Sequence, residues 1–150
     1  DYEERRCGHR STPDTLHLFG RYRRPEIIRH FGVQYDPARH NRGIQWIDPH
    51  SVIICKLDTS QAIKQHQYLN QFIDSQTFLW TSQNQMRPDN MDGQKVLSHE
   101  KEGRFLHLFI QASSHEPAFY VGIVTVTSYE GSGPMQIRFH LPVPVPSELH

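Results

Sequence analysis

Apolar residues occur in a few short runs that polar stretches separate. The first run follows Pro25, which fits the first turn of a helix because the backbone hydrogen that proline lacks would be unpaired there. Its apolar face ends at Gly32, a residue type that often stops a helix. We therefore predict a short helix over 25–32 and, because turn-forming residues are frequent after it, a loop over 33–50.

The rest of the chain contains the short runs of β-branched and aromatic residues that are typical of strands. The clearest runs lie at 51–57, 78–82, 104–112, 119–128 and 135–143. Residues 60–75 fit either a short helix or an irregular excursion, and the proline, asparagine and glycine of 84–94 favour a loop. About five strands with one or two short helices predict an α+β fold on a strongly bent, mainly antiparallel sheet or a small barrel.

A chain of 150 residues suits a single domain. We expect residues 1–15 to be a flexible arm or linker remnant and residues 16–150 to form the domain. No apolar run approaches the roughly 18 residues that a membrane helix needs, so we expect no membrane partner. The two cysteines, Cys7 and Cys55, are too few for a disulfide framework, which favours a reducing cytoplasm.

Charge is unevenly distributed, although the net charge is zero with histidine neutral. Residues 1–42 hold nine arginines and six acidic residues. Guanidinium groups match phosphate oxygens well, whereas overall neutrality argues against tight binding to nucleic acid by charge alone. The alternative is a solvated surface with ion pairs. The residues that we predict to bind phosphate are Arg21, Arg23, Arg24, Arg39 and Arg42.

No motif for catalysis or metal binding is complete in the sequence. Cys7 and His9 lack the second ligand pair that a zinc site needs. Pro88 and Asp89 could begin a nuclease motif, but no acidic residue stands two positions before Lys95 or Lys101 to complete it. No phosphate-binding loop or nucleophile elbow occurs. His107 and His140 lie in predicted strands, where a structural role is more common than a ligand role. We predict no enzyme activity, no cofactor and no metal.

A different kind of site is indicated by residues 78–95, FLWTSQNQMRPDNMDGQK. Trp80 offers a flat stacking surface, strand alternation puts Ser82 on the same face, and Gln83 follows at the strand end. A protein that reads one base must take it out of the stack and hold it against a ring with polar groups at its edge. Trp80 as a core residue is the competing interpretation. Further candidate walls of a base pocket are Tyr68, Trp46 and Tyr129.

Several stretches, in this order, resemble a known family: LFGRYRRPEIIRHFG, YLNQFIDSQTFLWTSQ, GQKV and FYVGIVTVTSYEGSGPMQIRFHLPVPVP. Together they are similar to the uncharacterised domain at the C-terminus of many bacterial DEAD/DEAH-type helicases, which often carry a phospholipase-D-like nuclease domain. The family tends to have histidine where Leu79 stands, glutamine at Thr81 and histidine at Tyr129. These differences indicate a shift in fine specificity.

The resemblance implies a role in restriction or phage defence, in which a helicase or nuclease must be directed to the correct DNA substrate. The predicted strands are also similar to PUA-like barrels, a group that includes readers of modified bases. We therefore predict a non-catalytic domain that binds double-stranded DNA with a modified or flipped-out base, a modified cytosine above all, and targets a fused or associated helicase or nuclease. Two alternatives stay open, a protein-interaction module and a free-nucleotide sensor.

Overall fold

The computed structural model describes residues 16–40, 43–57, 70–82, 86–113, 116–131 and 135–147. The predicted arm lies outside these ranges, as do three predicted site residues: Tyr68, Gln83 and Arg42. Within the described ranges, no helix is long and apolar enough to cross a membrane.

Eight strands and two short helices account for the regular structure of the described residues. The strands are β1 (Arg21–Tyr22), β2 (Ile44–Ile47), β3 (His50–Lys56), β4 (Gln71–Asp74), β5 (Thr77–Thr81), β6 (Phe105–Gln111), β7 (Ala118–Glu130) and β8 (Gln136–His140). The helices are α1 (Arg24–His30) and α2 (Met91–Leu97).

The strands form one sheet in the order β2-β3-β6-β7-β8-β5-β4, and β1 pairs separately with β7. All neighbours are antiparallel except β3 and β6, which are parallel. The 13-residue strand β7 joins the two halves of the sheet. Its first part, from Ala118 to Val124, pairs with β6, and its second part, from Thr125 to Glu130, pairs with β8.

The sheet bends strongly along β7. Register shifts interrupt the pairing between Leu108 and Phe109 of β6 and between Val126 and Ser128 of β7, and such bulges bend a strand. Gly122 lies between them with φ +108°, and a Cβ atom there would come within 2.6 Å of Pro142 Cγ. Only glycine adopts this backbone conformation readily, so the bend depends on Gly122. The predicted fold, an α+β domain on a strongly bent and mainly antiparallel sheet, is confirmed.

The central strands are buried on both faces. On one face, Ile53 of β3 and Leu108 of β6 belong to the main core. On the other face, Val52 and Phe109 pack with Ile27 of α1 in a second cluster. Parallel strands covered on both sides carry nearly continuous apolar runs, which explains the apolar runs of β3 and β6.

The helix predicted over 25–32 is confirmed as α1. The Arg23 backbone N–H donates to Glu26 Oε1 at 2.7 Å, which satisfies one of the unpaired donors at the helix start. Gly32 follows the helix with φ +84°. Ile28 is fully buried, so the apolar face of the helix covers the sheet as its pattern indicates.

Two of the predicted loops are wrong. Residues 33–50 contain β2, a four-residue strand that is held by its pairing with β3 more than by its own pattern. Residues 84–94 overlap α2, which begins after Asn90 because the Asn90 side chain accepts a hydrogen bond from the Gly93 N–H at 3.0 Å. Burial of Val96 then fixes the helix against the core.

Candidate nucleic-acid interface

Two of the predicted base-binding residues lie on one row across the sheet. Trp80 of β5 pairs with Ile137 of β8, and Ile137 pairs with Tyr129 of β7. Directly paired residues of antiparallel strands share a face. Because neighbouring strands lie about 4.8 Å apart, the two aromatic residues are anchored about 10 Å apart. We call these three residues the Trp80–Tyr129 row.

The two ends of this row differ in exposure. Tyr129 is 47% exposed, whereas Trp80 is 3% exposed and belongs to the main core. The Trp80 indole stacks on Phe139, with ring centroids 5.7 Å apart. We expected an open face on the Trp80 indole, but the structure shows Trp80 as a core side chain. The accessible ring of the row is that of Tyr129. A role for Trp80 as the inner wall of a base pocket stays a prediction.

Ser82 ties the end of β5 to the start of β8. Its backbone N–H donates to the Met135 carbonyl at 2.9 Å, and the Met135 N–H donates to Ser82 Oγ at 2.8 Å. One residue earlier, the Thr81 N–H donates to Asn70 Oδ1 at 2.8 Å. These bonds hold the chain at the point where the undescribed residues 83–85 begin. Ser82 thus positions this end of the Trp80–Tyr129 row.

Trp46 is not part of the row. It lies on β2, five positions from β5 in the strand order, and its half-buried ring packs against the main core. Two cations approach it: Lys95 Nζ lies 4.8 Å and Arg104 Cζ 5.7 Å from the ring centroid. Arg104 also donates to Asp48 Oδ1 at 2.6 Å. Such cation–π contacts are stabilising, and the one from Lys95 joins α2 to β2.

Three of the predicted phosphate-binding arginines converge on one tyrosine. Arg23 and Arg24 line a cavity of about 380 Å³, and Arg39 lines a second one of about 300 Å³. Tyr35 belongs to the lining of both cavities, so its side chain is a wall that they share. We call the two cavities together the Tyr35 pocket. The structure thus brings together residues from α1 and from the loop that follows it.

The Tyr35 ring is held by a network around His40. The two rings stack with centroids 5.9 Å apart and an interplanar angle of 27°. The Asp36 N–H donates to His40 Nδ1 at 2.9 Å, and Arg24 donates to the His40 carbonyl at 3.1 Å. Burial lowers the pKa of the Arg24 guanidinium, and interaction with Tyr35 partly opposes this shift. Arginine remains charged near neutral pH despite such shifts, so Arg24 contributes a fixed positive charge.

Arg21 lies outside this pocket. It is exposed on β1, where its guanidinium lies 5.8 Å from the ring centroid of Phe119 on the neighbouring β7. Sequence reasoning missed Tyr35, although an aromatic residue inside the arginine-rich region was a usable signal. Its partner His40, which we expected only as a loop residue, is buried.

A chain of hydrogen bonds connects His50, His107 and Tyr120, of which Tyr120 belongs to the second cluster of buried residues. His107 Nε2 lies 3.0 Å from His50 Nδ1, and His107 Nδ1 lies 2.9 Å from the Tyr120 hydroxyl. Burial, followed by repulsion from His50 and His30, lowers the pKa of His107 to about 3. His107 is therefore a neutral structural histidine, as predicted. The described residues contain no group of three or more histidine, cysteine or acidic residues that could hold a metal.

Solved structures with a similar fold are known. The SRA domain of SUVH5 in complex with fully methylated CG DNA has a TM-score of 0.57 and 12% identity, covering 91% of this chain and 97% of that chain. The same domain with hemimethylated CG DNA has a TM-score of 0.56 and 11% identity, covering 89% and 94%. At such identities the likeness establishes the fold alone, which matches that of SRA domains. The prediction of a PUA-like fold is confirmed, whereas the sequence did not indicate SRA domains in particular.

A third similar structure is AspBHI, a DNA modification-dependent restriction endonuclease, with a TM-score of 0.50 and 10% identity. The match covers 86% of this chain and 43% of that enzyme. No curated protein matches the chain. A family model described as Domain of unknown function (DUF3427) matches residues 16–150.

Proposed function

The chain belongs to the DUF3427 family, and we propose that it is a non-catalytic DNA-binding domain that recognises a modified or flipped-out base, with a modified cytosine as the base read. The observation that carries this proposal is the fold, which is similar over 91% of the chain to an SRA domain crystallised with methylated CG DNA. Fold alone does not define function, so the proposal also depends on the chemistry of the two surfaces described above.

The Trp80–Tyr129 row supplies the base site in this proposal. A base turned out of a duplex needs a ring to stack on and polar groups along its edge. Tyr129 is exposed enough to receive it, and Trp80 lies on the same face behind it. Ser82, with the undescribed Gln83 and Tyr68, completes the set of residues that we assign to base binding.

The arginines supply contacts to the DNA backbone. Arg21, Arg23 and Arg39 are exposed, and the last two line the Tyr35 pocket together with Arg24. Phosphate contacts fix the position of a protein on a duplex without reading its sequence. We assign these residues, with the undescribed Arg42, to positioning the domain while the row reads the base.

The biological role that we propose is to direct a restriction or defence enzyme of a bacterial cytoplasm to modified DNA. The similarity to AspBHI supports this role, because a domain of this size and fold lies within a longer modification-dependent enzyme. A helicase or nuclease, fused or associated, would then supply the catalysis, and this domain would supply the selection of substrate.

The test is a binding panel with the 150-residue chain. Fluorescently labelled duplexes that carry one unmodified, methylated, hydroxymethylated or glucosylated cytosine are titrated at two salt concentrations. We expect at least one modified duplex to bind tenfold or more tightly than the unmodified one. We also expect all affinities to fall as salt rises. Equal affinity for every duplex would refute the reading of a modified base.

A second candidate function, protein docking, is favoured by one observation. Phe105 and Ile123 are 46% and 45% exposed and line a cavity of about 330 Å³. Large exposed apolar side chains are common at protein interfaces. Salt separates the two functions, because binding through an apolar surface changes little with ionic strength, whereas binding to DNA weakens steeply.

A further inference from the structure

We propose that the Tyr35 pocket binds one nucleotide, with its base in the larger cavity against the Tyr35 ring and its phosphate beside Arg39 in the smaller cavity. The inference rests on the proposed function in that DNA is the expected source of the nucleotide, but it concerns a different surface from the Trp80–Tyr129 row. A free nucleotide has the same chemistry, and the experiment below distinguishes the two sources.

The pocket has the size that such a ligand needs. Its two cavities measure about 380 and 300 Å³ and have Tyr35 in both of their walls. Sites for small organic ligands start at about 300 Å³, so the larger cavity is big enough for a base, and in the proposed complex the sugar passes Tyr35 to place the phosphate in the smaller one. The larger cavity also has Ile54 and Pro117 in its wall, which provide apolar contact for a ring.

The stacking surface is held in place before any ligand arrives. His40 covers the Tyr35 ring at 5.9 Å, and the Asp36 N–H and Arg24 each bond to His40. A ring fixed in this way loses little conformational freedom when a base stacks on it. The contact that we assign to Tyr35 is therefore made by the face of its ring.

The charges of the pocket favour a phosphate on one side and an amino-bearing base on the other. Arg23, Arg24 and Arg39 outnumber the two acidic residues of the lining, Asp36 and Glu116. The described residues offer no ion-pair partner to the Arg23 and Arg39 guanidinium groups, and forked guanidinium donors match phosphate oxygens.

Of the two acids, Asp36 already accepts a hydrogen bond from the Ala38 N–H at 3.1 Å. Glu116 is exposed at the larger cavity and makes its hydrogen bond to Gln111 through its backbone carbonyl, not its carboxylate. A carboxylate accepts hydrogen bonds from the exocyclic amine of cytosine or adenine. We therefore expect the pocket to prefer these bases to thymine.

In the experiment, the 150-residue chain is titrated with deoxycytidine monophosphate, thymidine monophosphate and inorganic phosphate, and NMR follows the shifts of the backbone amides. Binding of a 12-base-pair duplex is measured separately by fluorescence anisotropy. Tyr35→Ala and Arg39→Ala are compared with Arg29→Ala, an exposed arginine of α1 outside the lining. Tyr35→Phe keeps the ring and controls for folding.

We expect deoxycytidine monophosphate to shift amides around Gln111 and Ala118, and Tyr35→Ala to weaken its binding about tenfold, a typical effect of losing one stacking partner. Arg39→Ala should weaken the binding of deoxycytidine monophosphate and of the duplex. The Arg29→Ala and Tyr35→Phe variants should bind like the unchanged protein. Inorganic phosphate that binds as tightly as the nucleotide, or a Tyr35→Ala variant with unchanged affinity, would overturn the inference.

The two proposals fail separately. Tyr35→Ala should leave the ratio between modified and unmodified duplex unchanged, since the base is read elsewhere. If the unchanged protein binds modified and unmodified duplex equally, while Tyr35→Ala still weakens nucleotide binding, only the reading of modified bases is refuted. If Tyr35→Ala weakens the binding of both duplex and free nucleotide, DNA is the source of the nucleotide; if it weakens only the binding of free nucleotide, the pocket holds a free nucleotide.

Discussion

The Nδ1 atom of His107 lies 2.9 Å from the hydroxyl oxygen of Tyr120, in an interior where both side chains are nearly inaccessible. His50 completes the chain on the other side of the His107 ring at 3.0 Å. The ring of Phe31 lies 4.8 Å from that of His107 and closes the site. A neutral imidazole satisfies both bonds, as donor on one nitrogen and acceptor on the other.

This geometry predicts that the domain becomes less stable in acid. Burial lowers the pKa of His107 from 6.5 to about 3. Between these values the unfolded chain binds more protons than the folded one, so the free energy of unfolding falls as the pH drops from about 6.5 towards 3. The expected loss between pH 7 and pH 5 is about 2 kcal/mol, measured by urea denaturation at both values.

His107→Gln should make this dependence on pH shallower, because the variant has no group to titrate at that position. His50, whose pKa burial also lowers, accounts for part of the slope that remains. His17→Gln is the matched control, since His17 is exposed. A His107→Gln variant whose stability falls with pH as steeply as that of the unchanged protein would show that other groups cause the acid sensitivity.

Tyr129→Ala should weaken binding to modified duplex while leaving the fold intact. Tyr129 is 47% exposed and belongs to neither core cluster, so its truncation should change stability by about 1 kcal/mol. Loss of a stacking ring typically costs about 1–3 kcal/mol of binding. Anisotropy titrations and thermal melts measure the two effects, and Ile73→Ala, another exposed residue at 46%, is the control.

Trp80→Ala should behave differently, because the ring lies in the core. Truncation of a buried aromatic residue costs about 3–5 kcal/mol of stability, so this variant tests packing before it tests binding. Trp80→Phe keeps a ring beside Phe139 and a folded domain. If Trp80→Phe lowers affinity for modified duplex with the melting temperature largely retained, the indole takes part in the base site.

Reversing two exposed arginines should weaken all duplexes alike. Arg21→Glu with Arg23→Glu removes two predicted phosphate contacts, and each lost contact lowers the slope of log affinity against log salt by about one. Lys101→Glu, in an exposed turn, is the control for the change in charge. A loss confined to one kind of cytosine would contradict the phosphate role. Arg24 is unsuitable for this test because it is partly buried and bonded to His40.

Gly93→Ala should destabilise the domain by about 1–3 kcal/mol, the usual effect of overpacking. Gly93 belongs to the GQKV stretch of the family resemblance, and a Cβ atom there would collide with the Arg87 carbonyl oxygen. Gly43→Ala is the control, because its Cβ atom would meet nothing closer than the Ile54 carbonyl oxygen at 3.7 Å. Thermal melts measure the difference, and equal melting temperatures would contradict the close approach.

The central strands and α1 could be predicted because local sequence specifies them. Burial on both faces gives β3 and β6 continuous apolar runs, and Pro25 and Gly32 mark the ends of α1. The four-residue strands β2 and β4 depend on the partner strand, which no local pattern reveals. The helix α2 was missed because its Gly93 favours a loop, and burial of Val96 outweighs that preference.

The sequence indicated the candidate residues of the site better than it indicated how the fold places them relative to one another. Strand alternation places Trp80 on a face but does not reveal that Phe139 covers that face. The arginines are close in sequence, so their clustering was expected. Their convergence on Tyr35 depends on how the loop after α1 folds back, and a sequence pattern carries no information about that path.

The length of β7 limits the stretch of DNA that the proposed complex can span. Phe119 lies beneath the Arg21 guanidinium, and Tyr129 stands at the far end of the same strand. At about 3.3 Å per residue these two positions are at most roughly 33 Å apart, and the bend at Gly122 shortens the span. In the proposed complex, the phosphate beside Arg21 and the base beside Tyr129 would therefore lie within about one turn of duplex, so two modified bases spaced more widely would need two copies of the domain.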